Sequence, residues 1–416
     1  MSARIQAPRG TSDVLADAAD ARARLEQTAR RVLEGAGYRR IETPTFEATE
    51  LFSRGVGAST DIVQKEMYTF DDGGDRSVTL RPEGTAPICR AYVEHGMHKL
   101  PQPVKLWYLS SFFRKEKPQA GRYRQFWQVG AEALGSDDPA VDAESILLLA
   151  TLLDELEVGD VRLRLGSLGT LAARSAYRER LQAYLRAHEA SLSAEVRARI
   201  DLNPLRAFDS GDRATQAVMA GAPRLLDHLD AADVEHFAAV CDLLDRAGVA
   251  YEVDAKLVRG MDYYTRTVFE FTSDKLGAQS GVAGGGRYDG LVEQLGGPAT
   301  PGCGWAAGIE RILLASPDVQ VAAPPVDLYV AFDAPAQRAA AFAVAAQARD
   351  ARLTAQLELA GRSRKGQLKQ ADRIGARYVA LVSDTGAVLK DMQAGEQNDV
   401  QTGEIVARIL RARGMS

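Results

Sequence analysis

Five short segments combine residue types able to bind a small charged substrate and a phosphate. Thr79-Leu80-Arg81-Pro82-Glu83-Gly84-Thr85 ends an extended run at a proline and sets a carboxylate and a hydroxyl beside a glycine. Glu83 can hold an ammonium group through charge-assisted hydrogen bonds; the same residues also fit a turn whose Thr85 starts a helix. In the second segment, Phe112 to Lys117 and Gln119 to Glu132 read as a strand, a basic loop and a returning strand. The period of two puts Phe126, Gln128, Gly130 and Glu132 on one face. Arg114 and the Gln128 amide then point into one cleft. An arginine beside aromatic rings suits an α-phosphate and a stacked adenine, and a basic surface hairpin is the plain alternative.

The third segment, Leu257-Val258-Arg259-Gly260-Met261-Asp262-Tyr263-Tyr264-Thr265, sets an arginine and two tyrosines among apolar neighbours. In an extended chain Tyr263 and Tyr264 face opposite sides, so one of them lines a pocket; ordinary strand tyrosines in a hairpin are the alternative. In the fourth, Gly284-Gly285-Gly286-Arg287-Tyr288-Asp289-Gly290, consecutive glycines allow close approach of backbone to a ligand or a tight turn. The pattern is neither a Walker loop nor a dinucleotide fingerprint. In the fifth, Gly304-Trp305-Ala306-Ala307-Gly308-Ile309-Glu310-Arg311, small residues lead into a helix whose Arg311 can reach a terminal phosphate or simply face solvent.

The elements that must position these residues are partly legible. Residues 15–35 have helical apolar spacing and glycines at the end. Residues 39–44, 77–80, 104–109, 125–134 and 161–165 read as strands. Few long helical stretches separate them, which predicts an antiparallel sheet. From about 170 to 248 the chain is rich in Ala, Leu, Arg and Glu and reads as a helical insertion. Strand signals resume at 251–253 and 267–271, where Thr267, Phe269 and Phe271 share a face. Gly308 to Leu314 reads as a helix. Residues 316–325 read as a linker. Beyond it, strands at 326–332, 353–359 and 378–382 alternate with helices at 337–350 and 364–374, the pattern of a small α/β domain with a mixed or parallel sheet.

Composition bounds the classes. The chain has 416 residues, 46% hydrophobic and 26% charged, with a net charge of −5. Two or more domains with sizeable cores are expected, and disorder or a coiled-coil rod is excluded. No apolar run is long enough for a membrane span, and residues 1–10 lack a secretory apolar core. Cys89, Cys241 and Cys303 are scattered and odd in number, which fits a reducing compartment. The five histidines form no zinc spacing with them. Residues 326–416 carry 13 Lys and Arg against 10 Asp and Glu, so the acidity lies in the rest of the chain. Within that rest, residues 114–124 hold five basic residues and only Glu116 as an acid.

Taken in order, these segments resemble the histidyl-tRNA synthetase family of class II aminoacyl-tRNA synthetases. Residues 39–44 resemble motif 1, residues 112–132 motif 2, and residues 302–311 motif 3. Residues 257–264 and 284–288 resemble the family's two histidine-specific motifs. The likeness extends from Pro8-Arg9-Gly10-Thr11, through Thr60-Asp61-Ile62-Val63 and Lys65-Glu66-Met67-Tyr68, to Lys390-Asp391-Met392 and Gly395-Glu396-Gln397.

The resemblance implies an α+β fold with three parts. These are a catalytic domain over 1–169 and 249–318, built on an antiparallel sheet flanked by helices; a helical insertion over 170–248; and an anticodon-binding α/β domain over 326–416. It implies a cytoplasmic homodimer with motif 1 at the interface. The implied substrates are L-histidine, ATP with its Mg²⁺, and tRNA(His), with no zinc and no metal site of the protein's own. Arg114 and Arg259 are then the catalytic arginines on the α-phosphate, Arg259 serving partly where relatives use a metal. Glu116, Phe126 and Arg311 join Arg114 around ATP. Glu83, Gly84, Thr85, Gln128, Glu132, Arg259, Tyr263 and Tyr264 form the histidine pocket, with Glu132 and Tyr264 on the imidazole. Gln119, Arg122 and Arg124 meet the acceptor stem. Arg362, Arg364, Lys365, Lys369 and Arg373 mark the expected anticodon-stem face. The chain departs from the family pattern at Trp127, where histidine is usual, and at Lys117 and Ala120 in the motif 2 loop. By alternation Trp127 faces away from Gln128.

Two rivals belong to other classes. One is a non-catalytic synthetase-like regulatory subunit of ATP phosphoribosyltransferase; Arg259, a complete motif 2 loop and the C-terminal domain count against it. The other is an acyl-adenylate ligase without tRNA, which has no need of a basic C-terminal domain.

Overall fold

The computed structural model describes residues 4–57, 60–257, 260–277, 280–317 and 325–414. They fall into two compact units divided between residues 319 and 320. In chain order, the first unit opens with helix α1 (Ala16–Gly35), whose Leu25, Ala29, Val32 and Leu33 are buried. Strand β1 (Arg39–Arg40) follows. A three-stranded antiparallel sheet is built from β2 (Phe46–Ala48), β3 (Thr69–Asp71) and β4 (Ser77–Leu80). Helices α2 (Thr49–Gly55) and α3 (Thr85–Glu94) flank it in sequence. Next come β5 (Val104–Phe113), β6 (Gln125–Leu134), α4 (Pro139–Glu155) and β7 (Val161–Ser167).

Residues 170–248, expected to be helical, form α5 (Leu171–Ala187), α6 (Ala194–Arg199), α7 (Arg213–Ala220) and α8 (Ala231–Arg246). They belong to the first compact unit. Local rules start these helices: Thr170, Ser193, Asp212 and Asp230 each accept a backbone N–H of the first turn. The unit closes with β8 (Glu252–Val253), β9 (Thr265–Ser273), β10 (Gly281–Arg287), α9 (Leu291–Gln294), β11 (Gly302–Gly308) and α10 (Ile309–Ala315).

Eight strands form the main sheet in the order β1-β5-β6-β11-β10-β9-β7-β8. Only the edge pairs β1/β5 and β7/β8 are parallel; the other pairs are antiparallel, as the short strand-to-strand spacings predict. One face packs on the helices. Trp107, Val129, Ala131, Phe269, Phe271 and Trp305 meet α1, α4, α8 and α10 in a single core. The opposite face presents Tyr108, Phe112, Val268 and Tyr288. Residues 284–287 are a central strand, not the tight turn that their glycines allowed. A Cβ on Gly285 would lie 2.1 Å from the Gly304 carbonyl oxygen and 2.7 Å from the Trp305 Cβ. Neighbours on both sides press on the backbone there, so glycine serves close packing.

A buried ion cluster ties the helical layer to β10. The Arg287 guanidinium is 0% exposed and bonds Asp142 (2.6 and 3.2 Å), Asp289 (3.1 Å) and the carbonyls of Ser136 and Asp138. Asp142 also accepts from Thr267 and pairs with His236 of α8, both at 2.7 Å. Burial would raise the Asp142 carboxyl, but His236 and Arg287 hold it below its ordinary value.

The second unit is an α/β domain with β12 (Leu328–Phe332), α11 (Arg338–Asp350), β13 (Ala355–Leu357), α12 (Arg364–Arg373), β14 (Tyr378–Ser383), β15 (Gly386–Asp391), β16 (Gln397–Val400) and α13 (Ile405–Ala412). Its mixed sheet runs β13-β12-β14-β15-β16, parallel through the first three strands and antiparallel afterwards. Alternation on β12 sends Leu328 and Val330 to α11 and α13, and Tyr329 and Ala331 to α12. Most of the expected linker, residues 318–324, lies outside the described residues.

Candidate active site

The β5–β6 hairpin builds one wall. Tyr108 pairs with Gly130, Ser110 with Gln128 and Phe112 with Phe126, so these side chains share the face away from the helices. Between the strands, the loop of residues 114–124 folds back on itself. Arg114 donates its backbone N–H to Arg124 O (2.9 Å), and Gln119 and Arg122 exchange backbone bonds of 2.9 and 3.0 Å. Arg114 Nε donates to the Pro82 carbonyl at 2.9 Å, and its guanidinium lies 5.3 Å from the centre of the Phe126 ring. Glu116 sits between Arg114 (3.7 Å) and Arg122 (3.3 Å). Gln119 and Arg122 are exposed at the loop surface; Arg124 is half-buried and donates Nε to the Glu116 carbonyl at 3.3 Å.

Two contiguous cavities open on this wall, about 380 and 750 Å³, and share Arg114, Arg122, Gln128, Glu270, Gly284 and Ala306 in their linings. The smaller adds Glu116, Phe126, Gly308 and Arg311. Its contents are a flat aromatic surface, glycine backbone and three arginines, the chemistry of a nucleotide site. Burial lowers the Arg311 pKa, and the nearby Arg122 charge adds to that.

The larger cavity adds Glu83, Gly84, Thr85, Tyr108, Tyr263 and Tyr264. Glu83, 3% exposed, accepts the N–H groups of Thr85 (2.8 Å) and Ala86 (2.9 Å), which caps α3 and leaves the carboxylate at the cavity wall. Burial raises its pKa, while the Ala86 and Thr85 amides and Arg114 pull it down. Glu132 lies behind this wall, 0% exposed. Its Oε1 accepts from Thr85 Oγ1 at 2.7 Å and its Oε2 from the Tyr288 hydroxyl at 2.5 Å. Burial pushes its pKa up to about 8, against the pull of those two hydroxyls. Gly304 makes room for it: a Cβ there would stand 1.8 Å from Glu132 Oε2. Tyr108 crosses the gap that Gly84 and Gly130 leave open, since a Cβ on either would meet its ring or hydroxyl at 2.4–2.9 Å.

Tyr263 and Tyr264 both line the cavity, 4% and 6% exposed, with rings 4.8 Å apart. The expected division to opposite sides fails because residues 260–264 form a bend and turn; the strand starts at Thr265. Tyr263 also meets Tyr288 edge-on at 5.9 Å. Arg259 lies outside the described residues.

A family model for histidyl-tRNA synthetase matches residues 10–312. A histidine–tRNA ligase of Halorhodospira halophila is 52% identical over 91% of this chain and 90% of its own length. One of Desulforamulus reducens is 46% identical over 98% and 99%. The chain belongs to the histidyl-tRNA synthetase family. The apo Staphylococcus aureus histidyl-tRNA synthetase superposes with a TM-score of 0.80 at 33% identity, covering 98% of this chain and 100% of that one. A Bacillus halodurans chain described as an ATP phosphoribosyltransferase regulatory subunit/histidyl-tRNA synthetase has 22% identity and a TM-score of 0.67, over 92% of this chain and 100% of that one, a likeness of fold alone.

Within this histidyl-tRNA synthetase fold, Trp127 takes the helix side of β6, as alternation predicts. The Arg22 guanidinium lies 5.6 Å from its ring centre, and Glu310 accepts its backbone N–H while pairing with Arg22 at 2.6 Å. Sequence reasoning missed the hydroxyl of Tyr288 beneath Glu132, the phenol of Tyr108, and the Glu270 carboxylate shared by both cavities. Tyr288 was in a segment already marked for chemistry. Tyr108 carried a usable signal, since it shares the face of Gln128 and Glu132 across the hairpin.

Proposed function

We propose that the chain is a histidine–tRNA ligase of class II, using ATP to activate L-histidine and charging tRNA(His). One observation carries the reading of the site. A fully buried carboxyl group, Glu132, is held by the Thr85 and Tyr288 hydroxyls directly behind the Thr85 wall of a tyrosine-lined cavity that adjoins an arginine-lined one. A pocket of buried polar groups needing partners rejects amino acids whose side chains cannot supply them.

In the first step the histidine carboxylate attacks the α-phosphorus; the bond to the bridging oxygen breaks and pyrophosphate leaves. In the second, a hydroxyl of the terminal adenosine attacks the carbonyl carbon and AMP leaves. Neither step needs a protein nucleophile; positioning and neutralisation of phosphate charge do the work. Arg114 and Arg259 would hold the α-phosphate and Arg311 the γ-phosphate, with adenine on Phe126 beside Glu116. Glu83 would take the ammonium with Gly84 and Thr85 beside it, Gln128 the carboxylate side, and Glu132, Tyr263 and Tyr264 the imidazole. Magnesium would enter bound to the ATP phosphates.

Gln119, Arg122 and Arg124 would face the acceptor stem, and the second unit, with its excess of basic residues, the anticodon. The exposed Phe46 and Phe70 rings, 6.2 Å apart, form an apolar pair that a homodimer would cover. The test is histidine-dependent ATP–pyrophosphate exchange. Arg259→Ala and Arg114→Ala should each abolish it while the protein stays folded; near-normal exchange in either would refute that residue's role. A regulatory subunit would show no exchange at all.

A further inference from the structure

Arg174 belongs to none of the five segments. It sits on the first helix of the insertion, α5, at its second turn. Its Nη1 donates to the Tyr264 carbonyl at 2.6 Å and its Nη2 to the Asp262 carbonyl at 2.7 Å. Residues 260–264 are in no strand, so these carbonyls have no ladder to satisfy them, and a buried carbonyl without a partner is costly. Carbonyls two residues apart in a turn match the fork of one guanidinium, whereas an ammonium is a point donor. The same segment is tied on its other side, where the Asp262 N–H donates to Val56 O at 3.2 Å. α5 is itself anchored: the Asp233 carboxylate of α8 accepts the Thr170 N–H at 2.7 Å and Arg266 Nε at 3.0 Å. The fork therefore stands on a braced support between the insertion and the tyrosine turn.

We infer that Arg174 is a positioning residue for the amino-acid pocket, through which the helical insertion holds the Tyr263–Tyr264 turn in its substrate-binding shape. The inference rests on the reading of that cavity as the histidine site. It makes the insertion a structural partner of amino-acid recognition, whatever it does with tRNA. Without the fork the two rings lose their fixed backbone, and binding energy is spent on ordering the turn.

The experiment is ATP–pyrophosphate exchange on full-length Arg174→Ala, Arg174→Lys and Tyr264→Phe, with KM for histidine and for ATP measured separately. Arg174→Ala should raise the histidine KM about tenfold or more, since each 1.4 kcal/mol of lost preorganisation is a factor of ten, with ATP KM within about twofold. Arg174→Lys should recover little, and added methylguanidinium should restore part of the loss in Arg174→Ala. An unchanged histidine KM in Arg174→Ala, or equal losses for both substrates without rescue, overturns the inference. Tyr264→Phe separates the two levels. If it too leaves histidine KM unchanged, the reading of the cavity fails; if it raises KM while Arg174→Ala does not, only the inference fails.

Discussion

Glu132→Gln should change how stability depends on pH, because the carboxyl is buried and its pKa is raised. Its folded value of about 8 stands above the ordinary 4.5. Below 4.5 the group is protonated in both states and its contribution to stability is complete. Between 4.5 and 8 the unfolded chain releases a proton that the folded protein keeps, so stability falls as pH rises, by up to about 1.4 kcal/mol per pH unit. Over the whole interval the ceiling is about 5 kcal/mol, and from pH 5.5 to 8 it is about 3 kcal/mol. Glutamine cannot titrate. It leaves one of the Thr85 and Tyr288 hydroxyls facing an amide N–H₂, at a roughly pH-independent cost of about 1–3 kcal/mol. The stability gap between wild type and Glu132→Gln should therefore be wider at pH 5.5 than at pH 7, and shrink, close or reverse by pH 8.5. Urea unfolding of both proteins at pH 5.5, 7 and 8.5 measures it, and titrations common to the two cancel in the difference. A gap that stays constant across that range would refute the assignment of a raised Glu132 pKa.

Three further outcomes follow from the same geometry. Gly304→Ala places a methyl 1.8 Å from Glu132 Oε2 and should raise the histidine KM about tenfold or more while nucleotide binding persists; an unchanged KM in the exchange assay would contradict it. Arg287→Met leaves Asp142 buried without its main cation and should cost about 3–5 kcal/mol, read by denaturant unfolding, where a loss below about 1 kcal/mol would deny the cluster its role. Removing residues 320–416 should reduce tRNA charging about tenfold or more and leave pyrophosphate exchange within about threefold, since both cavities are lined by the first unit alone; equal losses in both assays would make the second unit structural.

Much of the site was legible where local periodicity sets direction. The alternation Phe126, Gln128, Gly130, Glu132 held because β6 is a regular strand paired on both sides, and it also turned Trp127 toward the helices. Tyr263 and Tyr264 were misread because alternation applies only to extended chain. Their turn is imposed by the Arg174 fork and the Val56 carbonyl, which are remote in sequence. The glycine strand β10 was not read as a strand because glycine has no strand preference of its own; its place is set by Gly304, Trp305 and Phe269 crowding the backbone. Helix α4 went unread between β6 and β7. Its Ile146, Leu149, Leu152 and Leu153 are buried among the sheet, α1 and α8, which erases the amphipathic stripe that marks a surface helix. In the second unit β15, β16 and α13 were also unread, while the strand–helix alternation before them was clear.

The central claim is that the tyrosine-lined cavity selects one amino acid for activation beside the arginine-lined one. ATP–pyrophosphate exchange with the full-length protein, run with histidine and then with each other protein amino acid, tests it most directly. The account predicts exchange with histidine and a preference of about 10⁴-fold or more over side chains lacking ring nitrogens. Comparable exchange with another amino acid, or none with histidine, would contradict it.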